Sequence, residues 1–277
     1  MLVLHTISDC KTWRNKQTDS LGFVPTMGAL HAGHLSLIKT SQKHCSKTIV
    51  SIYVNPSQFS ANEDLGSYPK TIKNDFSHLK ELNVDAVFLP TDNEMYPENE
   101  TESFNYETAL FKKLEGNSRP HFFYGVTKIV SKLFNIVSPT HTFFGEKDAQ
   151  QSRIIKKMID DLSYDIKFFT CPTIRNKDGL ALSSRNDYLT AEEQKKAIIL
   201  YQSLMIVKKL IKEGEKDTAK LKQSFISSIN SSSGFTVDYI SIACNDSLNE
   251  LGFWKEKSLI SAAVFYKKIR LIDNFVY

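Results

Sequence analysis

Five short runs of apolar, β-branched or aromatic residues punctuate the chain up to residue 171: LGFVPT (21–26), KTIVSIYV (47–54), VDAVFLP (84–90), HTFFG (141–145) and DIKFFTC (165–171). Their length and near-continuous hydrophobicity predict strands buried on both faces. Between them the period changes to 3.6, with helical patterns over 34–45, 70–82 and 126–137. In the last of these Val126, Ile129, Val130, Leu133, Phe134 and Val137 share one face. Alternating strand and helix predicts an α/β unit with an open parallel sheet and crossover helices. Ligands bind such sheets beyond the carboxyl ends of the strands, so the chemistry is expected just after each strand.

The pattern changes after SSRNDYLT. Residues 191–230 are lysine-rich and helical in pattern, with Thr190 followed by Glu192 and Glu193 as an N-terminal signal. Beyond the NSSSG break, TVDYISIAC, SLISAAVFY and IRLIDNFV predict a small three-stranded antiparallel sheet, its last two strands joined by a tight Lys-Lys turn. The expected organisation is an α/β domain over residues 1–175 and a smaller α+β C-terminal domain over 176–277.

Composition narrows the partners. Thirty-five Lys and Arg against thirty-one Asp and Glu leave a net charge of +4, and the charges are scattered. No basic face for nucleic acid is expected, whereas a small anionic ligand is. The lysines of 195–222 read as a solvated helix face. Cys10, Cys45, Cys171 and Cys244 are far apart, which predicts reduced, buried thiols. The N-terminus lacks a basic start followed by a long apolar stretch, and no run reaches the length of a membrane span. A soluble cytoplasmic protein without a membrane partner is expected.

The strand ends carry the candidate chemistry. After the first run, PTMGALHAGH places His31 and His34 about one turn apart at the start of a helix expected to begin near His34, with Gly28 and Gly33 allowing close backbone approach. Free N–H groups and the positive end of the helix dipole favour a phosphate there. A plain alternative has one histidine capping the helix and the other packing; zinc lacks supporting cysteines or an H-E-x-x-H motif. After the second run, NPSQF leaves Gln58 on a loop, able to donate to a carboxylate and accept from a hydroxyl. After the fourth, FGEKDAQQ places Glu146, Lys147 and Asp148 in the opening of a helix. The carboxylates suit ordinary capping, but a lysine there opposes the dipole and points to an anion. After the fifth, Ser183, Ser184 and Arg185 offer two hydroxyls and a guanidinium for a phosphate chain. No G-x-S-x-G elbow, Walker loop or protein nucleophile accompanies them. Such a site suits a substrate that brings its own nucleophile to ATP.

PTMGALHAGHLSL, NPSQF, KLFNIVSP, FGEKDAQQ and LSSRNDYL stand in the order and at the spacing of pantothenate synthetase, the ATP-dependent ligase that joins pantoate to β-alanine, and the chain resembles that family from about residue 20 to 190. HAGH and LSSRN separately resemble signatures of the class I aminoacyl-tRNA synthetase-like nucleotidylyltransferase superfamily. The resemblance implies a Rossmann-like catalytic domain, MgATP as co-substrate, a pantoyl-adenylate intermediate, release of AMP and pyrophosphate, and a homodimer. It implies an ATP site formed by Pro25, Thr26, Met27, Gly28, Ala29, Leu30, His31, Ala32, Gly33 and His34, with His34 as the family's proton donor. Gly145 and Asp148 would hold the ribose, beside Glu146; Lys147 the phosphates; Ile174 and Leu182 the adenine side; Ser183, Ser184 and Arg185 would close over the triphosphate. By the same resemblance His34, His31, Lys147, Ser183, Ser184 and Arg185 would form the catalytic set. Gln58 and Gln151 would take pantoate, with Met27, Val126, Ile129 and Phe144 around it. Amides instead of an arginine leave the carboxylate nucleophilic, because a tight ion pair would stabilise its ground state. Magnesium is expected through the ATP phosphates.

In RPHFFYGV the chain departs from the family's Arg-Pro-Gly-His-Phe, with Phe122 at the histidine position and His121 at the glycine position; Leu182 replaces a frequent methionine. Two other functions fit parts of the pattern. A nucleotidylyltransferase acting on a small phosphate ester would use the histidine signature but not the paired glutamines. A non-catalytic nucleotide sensor would keep the fold while losing His31, His34, Lys147 or Arg185, all of which are present.

Overall fold

The computed structural model describes residues 1–60, 64–98 and 104–277. In chain order the elements are β1 (Leu2–Leu4), α1 (Ile7–Arg14), β2 (Leu21–Thr26), α2 (Ala32–His44), β3 (Lys47–Ile52), α3 (Ile72–Glu81), β4 (Ala86–Phe88), α4 (Asp92–Met95), α5 (Glu115–Ser118), α6 (Phe122–Val137), β5 (His141–Gly145), α7 (Ala149–Asp161), β6 (Lys167–Cys171), α8 (Ala191–Ala197), α9 (Ile199–Lys212), α10 (Thr218–Asn230), β7 (Phe235–Cys244), β8 (Ser258–Tyr266) and β9 (Ile269–Val276). Both expected sheets are present. The first six strands form a parallel sheet in the order β1-β4-β3-β2-β5-β6, and the last three an antiparallel sheet in the order β7-β8-β9.

Side chains alternate across the parallel sheet as the pleat requires. Phe23, Ile49 and Phe88 join the core under α1, α6 and α7, whereas Val24, Val50 and Val87 join the core under α2 and α3. A separate core forms where Leu200, Leu204, Val207, Leu221 and Phe225 of α9 and α10 meet Ile242, Ile260 and Val264 of the antiparallel sheet. The opposite face of that sheet, including Ser261 and Phe265, borders a cleft whose other wall includes α5, the start of α6 and the turn after β5. Arg270 spans it between Glu115 and Asp238, and the Tyr239 hydroxyl donates to Glu115 at 2.7 Å.

Several details differ from the sequence reading. β1 and α1 were not expected; a three-residue edge strand is too short to display alternation. α2 begins at Ala32 rather than near His34, and α6 at Phe122 rather than 126, because its first turn is seated by the buried Phe123 and Gly125. Glu146–Asp148 is a 3₁₀ turn, with α7 starting after it. All four cysteines are free; Cys10 and Cys171 are buried fillers as expected, while Cys45 and Cys244 are only half-buried. No helix among the described residues is long and apolar enough to cross a membrane.

Strand order creates the crevice. From β2 the chain winds outward through β3 and β4, then returns to the other side of β2 with β5 and β6. β2 pairs with β3 along its full length but with β5 only through Gly22 and Phe23. Tyr53 N–H donates to Thr26 O, so Thr26 faces β3 and the preceding residue, Pro25, faces β5. In a strand successive residues address opposite neighbours, and proline has no N–H to offer. Pairing with β5 therefore stops, and the strands part toward their carboxyl ends.

Candidate functional site

A cavity of about 250 Å³ occupies that crevice. Of the ten residues expected from PTMGALHAGH, it is lined by Pro25, Thr26, Met27, His31, Gly33 and His34. Gly28, Ala29 and Leu30 are buried without lining the cavity, and Ala32 is exposed. Their backbone is shaped from a distance: Asp75 of α3, 2% exposed, accepts from Ala29 N–H at 3.1 Å and Leu30 N–H at 2.8 Å. Asp75 was missed in the sequence, although an aspartate between Ile72, Phe76 and Leu79 on a helix's apolar side is a signal that it is paired indoors.

Both histidines cap α2. His31 is the N-cap, its Nδ1 accepting from Gly33 N–H at 3.1 Å, and His34 Nδ1 accepts from His31 N–H at 3.4 Å. A Cβ on Gly33 would lie 2.7 Å from His31 Cε1 and displace the ring from that bond. The two rings stand 4.1 Å apart between centroids. Burial, with Lys147 nearby, lowers the His31 pKa to about 4; burial, then His31 and Lys147, lowers that of His34 to about 3. Both are neutral at pH 7. With Nδ1 accepting, the single ring proton sits on Nε2, so each ring offers the cavity an uncharged N–H donor. The plain capping alternative thus accounts for one nitrogen of each ring and leaves the other for chemistry.

On the β5 and β6 side, Gly145, Lys147, Asp148, Ile174, Leu182, Ser183, Ser184 and Arg185 line the same cavity, whereas Glu146 does not. Lys147 Nζ is 3.7 Å from the Asp148 carboxylate. Ser184 is buried and its hydroxyl donates to Ala29 O at 3.3 Å, tying this segment to the loop before α2. Gln58, Gln151, Val126, Ile129 and Phe144 complete the wall as a polar pair above an apolar floor. Gln58 lies on a 3₁₀ turn (Pro56–Gln58) and donates to Met27 Sδ at 3.2 Å. Its Oε1 accepts from Asn55 Nδ2 at 3.1 Å, and Asn55, 1% exposed, also donates to Gly125 O and accepts from Tyr96 OH. Sequence reading missed Asn55 as the amide that fixes Gln58.

Arg119 was also missed. Its guanidinium stacks on Phe122 at 3.7 Å and donates to Gln58 O at 3.3 Å. Phe122 lines the cavity; His121 is exposed and lines neither it nor the adjoining cleft. That cleft, about 730 Å³ beside the antiparallel sheet, shares Arg119, Lys147, Asp148, Gln151, Ser183 and Arg185 with the first cavity, so the two are continuous. Among the described residues no group of three His, Cys, Asp or Glu could hold a metal ion.

The arrangement offers hydrogen-bond donors and cations on one side and a polar pair over an apolar floor on the other. A family model described as pantoate-beta-alanine ligase matches residues 2–276. Pantothenate synthetase of Acetivibrio thermocellus is 44% identical, across 100% of this chain and 99% of its own. The crystal structure of pantothenate synthetase from Thermus thermophilus superposes with a TM-score of 0.94 at 36% identity, covering 99% of each chain. Pantoate-beta-alanine ligase from Francisella tularensis, crystallised with beta-gamma ATP and beta-alanine, has a TM-score of 0.82 at 34% identity, covering 100% of this chain and 97% of its own. With the whole chain matched in sequence and fold, it belongs to the pantoate-beta-alanine ligase family of enzymes.

Proposed function

We propose that the crevice binds ATP and pantoate side by side and couples them before β-alanine reacts. The pantoate carboxylate attacks the α-phosphorus of ATP; the bond to the β-phosphate oxygen breaks, giving pantoyl adenylate and pyrophosphate. The amine of β-alanine then attacks the acyl carbon, loses a proton and expels AMP, leaving pantothenate. The observation that carries this reading is the convergence, in one crevice, of two neutral imidazole donors and Lys147 beside Gln58 and Gln151.

In this reading His31, His34, Lys147, Ser183 and Arg185 hold the phosphates, and Ser184 anchors the segment that closes over them. Gly145 and Asp148 take the ribose, Ile174 and Leu182 the adenine side. Phosphoryl transfer of this kind depends on positioning and electrostatics, which fixed donors supply without reorganising. Gln58 and Gln151 bind the hydroxyl and carboxylate groups of pantoate, while Val126, Ile129 and Phe144 enclose its dimethyl carbon. Asp148 is the only carboxylate among the described residues lining the crevice. Magnesium would therefore arrive with ATP, held mainly by phosphate oxygens and water. In the same reading residues 1–175 form the catalytic domain and 176–277 a lid over the crevice; the separate core of the C-terminal part supports this. A homodimer completes the reading.

Pyrophosphate label should enter ATP when pantoate is present and β-alanine absent. Exchange without pantoate, or none with it, refutes the adenylate. Gln58→Ala should raise the KM for pantoate about tenfold and that for ATP less than about twofold, the loss expected for one hydrogen bond to a charged or hydroxyl partner. Equal damage to both constants would place pantoate elsewhere.

A further inference from the structure

We propose that Asn274 of β9 is a positioning residue for the nucleotide side of the crevice, making its geometry depend on how the antiparallel sheet is seated; what the crevice binds rests on the functional reading above. Asn274 lies on the edge strand of that sheet and is 5% exposed. Its Nδ2 donates to Glu146 O at 3.1 Å and to Lys147 O at 2.7 Å. Both acceptors belong to the 3₁₀ turn Glu146–Asp148, which presents Lys147 and Asp148 to the crevice. One amide from the distant end of the chain thus holds the backbone on which the phosphate-side lysine is mounted.

The strand is pinned where it does this. Asp273, 2% exposed, accepts from Arg175 through two bonds of 2.5 and 2.8 Å, and its Oδ1 also accepts from Asn274 N–H at 2.7 Å. Arg175 immediately follows Ile174 and donates to Gly179 O at 3.1 Å, at the base of the segment leading to Ser183. A two-pronged arginine–carboxylate contact fixes orientation as well as proximity. Asp273 and Asn274 therefore link the turn after β5 to the segment after β6, the two walls on the nucleotide side.

Asn274 Oδ1 has no hydrogen-bond partner among the described residues. Reversing the amide would set this oxygen against two carbonyl oxygens, so the orientation is dictated by the turn. A buried acceptor without a partner carries a desolvation cost that an aliphatic residue would avoid. Packing alone does not account for an asparagine at this position; holding the turn does.

Asn274→Asp keeps the shape, removes both donors and turns a carboxylate toward the two carbonyls. With α,β-methylene-ATP and magnesium in calorimetry, its Kd should rise about tenfold over the unaltered protein, while the KM for pantoate changes less than about twofold. In a Lys147→Ala background the same substitution should add less than about twofold, because an effect transmitted through Lys147 vanishes with it. An unchanged Kd, or full additivity with Lys147→Ala, overturns the proposal. Should Asn274→Asp fail to fold, Asn274→Ala carries the same expectations. The analogue cannot form an adenylate, so these outcomes stand apart from the exchange experiment: absent exchange in the unaltered protein strikes the functional reading, and unchanged affinity in the variants strikes this one.

Discussion

His34→Ala should lower pantoate-dependent ATP–pyrophosphate exchange by about 10²- to 10³-fold while the protein remains folded, the scale of losing one preorganised donor to developing charge. Most of the loss should fall on kcat rather than on the KM for ATP, because a fixed donor contributes most when charge accumulates during transfer. The family resemblance names this residue as a proton donor. With its pKa lowered to about 3 by burial, His31 and Lys147, the ring is uncharged at pH 7 in the free protein. It therefore begins as a hydrogen-bond donor through Nε2. Unchanged exchange in His34→Ala would remove it from the machinery.

The same depressed pKa makes a stability prediction. An unfolded histidine takes its proton near pH 6.5, whereas folded His34 resists protonation down to about 3. Between those values the unfolded chain binds more protons, so stability rises with pH and is lost as pH falls. Above about 6.5 both states are neutral and the effect is absent. His34→Ala should thus lose less of its urea midpoint than the unaltered protein between pH 7.5 and pH 5, although His31, with a pKa near 4, still contributes in both. An identical loss in the two proteins would contradict the neutral buried ring.

The legible parts of this site are those in which the signal is local. A strand ended by a loop places its terminal residues on the same edge as its neighbours, so PTMGALHAGH, NPSQF, FGEKD and LSSR could be assembled into one site before any contact was known. The hidden parts work by long-range contact with backbone. Asp75 shapes a loop 45 residues earlier in the chain, Asn55 touches Gly125 across 70 residues, and Asn274 reaches Lys147 across 127. Local spacing marks at most that such a side chain is buried, as for Asp75 on the apolar side of α3, and does not identify the remote carbonyl or N–H it pairs with. Pro25 is expected in the sequence as a strand residue and a wall of the ATP site, but not as the residue whose missing N–H parts β2 from β5 and opens the crevice. RPHFFYGV shows the converse, a visible departure whose meaning needed geometry: Phe122 stacks on Arg119 at the crevice, while His121 sits outside it.

Gly125→Ala should destabilise the protein by roughly 2 kcal/mol and, in whatever fraction remains folded, weaken pantoate binding more than ATP binding. Two effects of opposite sign compete. Gly125 lies within α6, where alanine is favoured over glycine by about 1 kcal/mol. Its Cβ, however, would stand 2.1 Å from Ser57 O, 2.5 Å from Ser57 C and 2.8 Å from Gln58 Cα. These are backbone atoms that no rotamer change can move, and overpacking of this kind costs about 3 kcal/mol. The clash wins. Relief requires α6 and the Pro56–Gln58 turn to separate, which also stretches the Asn55 Nδ2 bond to Gly125 O, 3.2 Å long, and carries Gln58 away from its place beside Met27. Gly252→Ala is the matched control, since a Cβ there meets nothing within 4 Å. A raised urea midpoint in Gly125→Ala, or a KM for pantoate no more affected than that for ATP, would mean that the turn can shift freely and that Gln58 is not held by α6.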